Sequence, residues 1–143
     1  MNERPLTLYR ILGLSLAAVF ALVGGLFLFL PGEVMSFFNV LSRRLGMTPI
    51  PQAGRSFFGV LAAAYMYLVT VLAWGMFRSP RERVYPLLLG QAKLASSLLS
   101  FGLFLFHAPW LIYLVNGIVD GAIGLLVLKL AFKIGPEVRK EIP

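Results

Sequence analysis

Lys93 and Asp120 are the residues of this chain whose types and setting point most directly to chemistry, because each sits inside a long apolar run. A charge in the middle of a membrane span costs about 2.5–3.5 kcal/mol on insertion scales, so it normally has a partner or a task. The runs that carry the two residues, near 87–106 and 110–132, are linked only by His107-Ala108-Pro109. So short a link makes the two helices antiparallel neighbours, and the ammonium and the carboxylate natural partners for each other.

Other polar residues fall on the same faces. Lys93, Ser97, Ser100 and Phe104 recur at steps of four and three, with Ser96 close by; Tyr113, Asn116, Asp120, Gly124 and Val127 form a matching stripe on the next run. Gly117 and Gly121 make a G-x-x-x-G pair that allows another helix backbone to come close. With a rise of about 1.5 Å per residue from the turn, Asn116 and Ser100 lie about 10 Å deep, Asp120 and Ser96/Ser97 about 16 Å, and Lys93 about 21 Å. The two charges thus differ in height by about one helical turn, a gap that a lysine side chain can bridge. Side chains lean toward their own helix N-terminus, so a direct pair needs a lysine rotamer that returns, and Ser97 or a water is the alternative bridge. Tyr65, on the preceding run, lies at a suitable depth to donate a hydrogen bond to the group. Arg55, just before Phe57-Phe58, reads as an interface anchor or as a planar fork for an anionic headgroup or carboxylate.

Three uses of this cluster compete. It can be a buried ion pair that fixes helix packing, with the serines and Asn116 completing the hydrogen bonds. It can line a cavity for a lipid headgroup, a quinone-like molecule or a small polar substrate. Asp120 can also be a proton or cation carrier, although a neighbouring ammonium favours the ionised carboxylate and so counts against proton coupling. An enzyme is the weakest reading. Lys93 could serve as a base if desolvated, but no nucleophile–base pair, P-loop or dinucleotide fingerprint accompanies it. Cysteine is absent and histidine occurs once, at His107, which removes thiol catalysis, disulfides and thiolate metal sites and leaves no basis for a metal centre or a cofactor.

The elements that must position these residues follow from hydrophobicity. The chain has 143 residues, 59% of them hydrophobic and 13% charged, with a mean hydropathy of +0.84. A soluble domain of that size has too little interior for so much apolar surface. Runs near 9–30, 57–77, 87–106 and 110–132 each reach the roughly 20 residues needed to span a bilayer. The first is too long for the apolar region of a cleaved signal peptide and is expected to remain as a span. It ends at Pro31-Gly32. Within 33–45, Val34, Phe37, Phe38, Leu41 and Leu45 share one face opposite Glu33, Ser36 and Arg43, the pattern of a short amphipathic helix with Gly46 at its C-terminal cap. That helix is expected at the outer surface, in the headgroups or as a lid over a pocket. Met47–Gly54 is a loop stiffened by two prolines, and Gly135-Pro136 is expected to stop the last helix.

Charge sets the expected orientation. The chain carries a net +7, and nine of its thirteen Lys and Arg residues fall before the first span, in the second connection or at the end of the fourth. Only Arg43, Arg44 and Arg55 fall on the other side. By the positive-inside rule both termini are cytoplasmic, in the inner (plasma) membrane, and the basic residues meet lipid headgroups rather than nucleic acid. Trp110, Tyr113 and His107 suit the outer aromatic belt; Tyr9, Trp74 and Tyr85 suit the inner one.

In its first span ending in Pro-Gly, its outer amphipathic segment, Gly54-Arg55-Ser56-Phe57-Phe58-Gly59 opening the second span, and the polar stripe with Lys93 and Val119-Asp120-Gly121, the chain resembles the broad DoxX-like group of small four-helix membrane proteins. The resemblance implies an inner-membrane protein, some relatives being subunits of quinone-linked oxidoreductases. The absence of cysteine means that no thiol-redox role transfers. The expectation is therefore a single all-α domain of four transmembrane helices plus one amphipathic helix, acting as an accessory or assembly subunit with a polar intramembrane site. Membrane lipids are its expected partners, together with a larger membrane complex or further copies of the chain. The alternative is a small oligomeric carrier using Asp120 and Lys93.

Overall fold

The computed structural model describes residues 4–51 and 57–139, with side chains over 6–51 and 59–133. Every regular element among the described residues is helical: α1 (Arg4–Phe29), α2 (Pro31–Arg44), α3 (Phe57–Arg78), α4 (Val84–Phe106) and α5 (Leu111–Arg139). Four stretches, Leu6–Phe29, Gly59–Arg78, Val84–Phe106 and Leu111–Lys133, are long and apolar enough to cross a membrane. The fold is that of a multi-pass membrane bundle, with α2 as the short extra helix.

The breaks between elements have local causes. Leu30 leaves helical geometry at φ −128°, ψ 46°, and Pro31 opens α2 at its first turn, where its missing N–H has no helical acceptor to lose. At the other end of α2, Gly46 takes φ +67°. Its N–H donates to Arg43 O (3.3 Å) and the Met47 N–H to Ser42 O (2.8 Å), the paired closure that only a residue at ease in the left-handed region supports. One expected stop does not occur, because α5 continues through Gly135 and Pro136 to Arg139. A proline there removes one helical hydrogen bond and leaves the others in place.

The bundle is assembled as two tight pairs, α1 with α3 and α4 with α5, joined mainly along α3 and α4. Small residues make both seams. A Cβ on Gly13 would come within 2.9 Å of Phe77 N and 3.0 Å of Ala73 O. On α5, a Cβ at Gly121 would meet Ser97 Oγ at 2.8 Å, and one at Gly124 would meet Leu94 Cγ at 2.9 Å and Gly90 O at 3.0 Å. Between apolar helices in lipid, close approach and its dispersion contacts do the work that hydrophobic burial does in water. Outward-facing Leu98 (74% exposed) and Phe106 (90% exposed) fit that setting.

Packing is uneven along the bundle. Tyr9, Leu16, Ala17, Phe20, Val69, Ala73, Met76, Leu89 and Val127 form one buried cluster, which runs from the end that carries the α3–α4 turn up to Phe20 at the level of Lys93. Tyr9 therefore lies in this core rather than in an aromatic belt. The opposite end, with α2 and the α4–α5 turn, is hollow. There α2 buries Asn39 and Ser42, while Phe37 is 66% and Leu45 59% exposed. The following loop folds back so that the Asn39 amide donates to Ile50 O (2.9 Å) and accepts from Ile50 N–H (2.8 Å).

Candidate functional site

The α4–α5 seam brings Lys93 and Asp120 together. Lys93 lies four residues after Leu89 on the buried face of α4, and Asp120 lies seven residues before Val127 on the buried face of α5, so both point into the bundle. Lys93 Nζ donates to Asp120 Oδ1 at 2.9 Å, with the two side chains only 3% and 5% exposed. The lysine makes the returning reach that a direct pair required. Its ammonium also lies 4.4 Å from the centroid of the Phe20 ring and 5.2 Å from that of Tyr65, faces whose quadrupoles attract a cation. Asp120 Oδ2 is buried and meets no donor among the described residues.

The remaining polar residues form a separate layer one turn nearer the α2 end. Ser97 does not bridge the charges; its hydroxyl donates to Gly117 O at 2.6 Å, tying α4 to α5 beside the pair. The Asn116 side-chain amide donates to Ser100 Oγ (2.8 Å) and Ser96 Oγ (3.2 Å). Tyr65 reaches the group differently from expectation: its hydroxyl donates to Ala92 O at 3.2 Å, and only its ring faces Lys93. Arg55 lies outside the described residues.

This second layer forms part of the wall of an open cavity of about 630 Å³ bordered by α1, α2, α3, α4, α5 and the loop after α2, where Tyr65, Ser96, Ser100 and Asn116 stand among Phe27, Met35, Ile50 and Leu103. The volume is in the range of small-molecule sites, which combine apolar walls with a few polar groups. Asn116 is exposed to that space. Lys93 and Asp120 are not among the lining residues. The seven candidates thus divide: the sealed pair of Lys93 and Asp120, Ser97 in the helix seam, an open wall of Tyr65, Ser100 and Asn116 that Ser96 joins, and Arg55 outside the described residues.

Two contributors were not anticipated. Phe20 belongs to a helix with no polar stripe, so nothing local marks it as the cap of an ammonium. Asn39 carried a faint signal, a polar residue within an apolar stretch, whose task of holding Ile50 over the cavity depends on the loop's return. At the rim, His107 stacks edge-on to Trp110 (5.9 Å between centroids), and Trp110 lies 5.3 Å from Tyr113, consistent with an aromatic belt at that end.

Comparison of the chain with protein-family models, with curated proteins and with solved structures finds no match.

Proposed function

We propose that the protein is a non-enzymatic membrane subunit that holds a lipid or a quinone-like molecule in the cavity at its α2 end. The observation that carries the reading is the wall of Tyr65, Ser96, Ser100 and Asn116 on a space of about 630 Å³ that is otherwise lined by apolar side chains and the aromatic rings of Trp110 and Tyr113. A molecule with a long apolar part and a small hydrogen-bonding group matches such a wall, since groups already bonded to one another there keep further acceptor and donor capacity toward the space. Exposed Asn116 is the principal contact. The Lys93–Asp120 pair serves as a structural anchor below the site, because each charge is sealed from the cavity and engaged with the other. That arrangement favours holding over carrying, since a carrier's ionisable group must meet its cargo.

The role is that of an accessory or assembly subunit, as the DoxX-like resemblance also suggests. In this reading the protein sits in the inner (plasma) membrane with the α3–α4 turn and both chain termini toward the cytoplasm, as the positive-inside rule favours. Native mass spectrometry of the protein gently extracted from its own membrane is the test. A reproducible bound lipid or quinone-like mass together with larger chains at fixed stoichiometry is the expected result. A homo-oligomer without any bound apolar molecule would overturn the reading and favour the carrier.

A further inference from the structure

The two larger cavities of the hollow end adjoin each other, and their relation narrows the class of molecule that fits. Beside the 630 Å³ space lies a second of about 460 Å³ between α1, α2 and α5, walled mainly by apolar side chains such as Val23, Leu26, Phe38, Val115 and Val119, with Glu33 of the first turn of α2 as its one charged residue. Phe27, Ile112 and Asn116 belong to both walls. The two spaces therefore diverge from one ridge, with an apolar ring and an isoleucine on it and a single polar group, the Asn116 amide, at the fork. Each volume by itself falls in the range of a ligand site.

The depth of the fork is informative. Asn116 is the sixth residue of α5, about 8 Å along the helix from its start. The apolar span of α5 has 23 residues, about 34 Å against a hydrocarbon core of about 30 Å, which puts the fork about 6 Å inside the core boundary. A bilayer lipid divides into its two chains near that boundary. We infer that the site takes a two-chain lipid, with one chain in each cavity and the polar branch point at Asn116. This rests on the lipid-holding reading above and narrows it against one-chain occupants. A prenylquinone or a lysolipid fills one space and leaves the other without a partner.

The test offers three probes in equal amounts to purified full-length protein stripped of lipid in detergent. They are dioleoyl-phosphatidylethanolamine, its one-chain lyso form and a long-tailed ubiquinone, with adducts read by native mass spectrometry. The expected result is one two-chain adduct per protein, retained about tenfold over either one-chain probe. Val119→Trp, which fills the smaller cavity from α5, removes that preference while one-chain binding persists. Val119 is 48% exposed, so the larger ring does not enter the packed core, and Leu26→Trp fills the same cavity from α1 should the first variant fold poorly. Equal retention of all three probes, a preference for the quinone, or a two-chain preference that survives both filling variants overturns the inference and leaves the lipid-holding function standing. The absence of any adduct from all three overturns both.

Discussion

The two ends of the bundle are built from the same kinds of residues yet arranged to opposite effect. Toward the α3–α4 turn, Val69, Ala73, Met76, Leu89 and Val127 are fully buried, and glycines bring helix backbones into contact. Toward α2 the helices stand apart around spaces of about 460 and 630 Å³. Polar residues follow the same division. At the packed end's upper limit, Lys93 and Asp120 answer each other in a sealed pair. One turn away, Asn116, Ser96 and Ser100 hydrogen-bond among themselves and still border open space. In an apolar solvent a polar group must find its partner within the protein or in a ligand. The packed end uses the first solution and the hollow end leaves room for the second.

The comparison breaks most readily at the ion pair. Asp120→Ala strands the Lys93 ammonium and is expected to destabilise the protein by about 3–5 kcal/mol. Unfolding in mixed detergent micelles measures this, and Lys93→Met combined with Asp120→Leu should recover most of the loss. Failure of the double variant to recover would mean that the pair does more than anchor helices. Gly13→Val tests the seam of the packed end. Its new side chain meets Phe77 N and Ala73 O, backbone atoms that cannot swing aside, so a loss of about 1–3 kcal/mol is expected in the same assay.

Changes at the hollow end should be milder for stability and sharper for binding. Asn39→Leu removes the two hydrogen bonds that hold Ile50 over the larger cavity. It should cost about 0.5–1.5 kcal/mol per bond, with faster hydrogen exchange at the Ile50 amide and faster loss of a bound lipid; unchanged exchange there would show that the loop is held by other contacts. Asn116→Leu removes two bonds to α4 and should shift stability by only about 1 kcal/mol, since a hydrogen bond between membrane helices averages about 0.6 kcal/mol. Retained lipid should nevertheless fall clearly by native mass spectrometry. A large stability loss with binding intact would reverse the division between the two ends.

Much of the scaffold is legible in the sequence. Runs of some twenty apolar residues can satisfy their backbone groups in lipid only as helices, so four spans follow from hydrophobicity alone. The three-residue link after Phe106 made α4 and α5 antiparallel, and one helical turn between Lys93 and Asp120 was a gap a lysine could cross. Pro31 and Gly46 marked the limits of α2 because their backbone preferences act locally. The stop expected at Gly135-Pro136 failed, since a proline weakens a helix by one bond and neighbouring bonds can carry it through. Tyr9 was misplaced because an aromatic near a span end looks the same whether it faces headgroups or another helix.

Some candidate groups also divided in ways that spacing could not reveal. Ser97 and Ser100 lie on one face by periodicity, yet Ser97 closes a seam and Ser100 borders a cavity. Ser97 meets the Gly117 carbonyl and the close approach at Gly121, whereas Ser100 meets Asn116 beside the open space.

Composition and periodicity determined, by themselves, that this chain is an all-helical bundle suited to a membrane, with a lysine and an aspartate placed to meet inside it. These are consequences of backbone hydrogen bonding and helical geometry, which act over a few residues. Tertiary structure alone decided that Phe20 would cap the ammonium, that Asn39 would clasp Ile50, and that one end would close while the other stayed open. Those outcomes depend on which helices pair and how nearly their backbones approach, and van der Waals fit between distant segments leaves no pattern within any one of them.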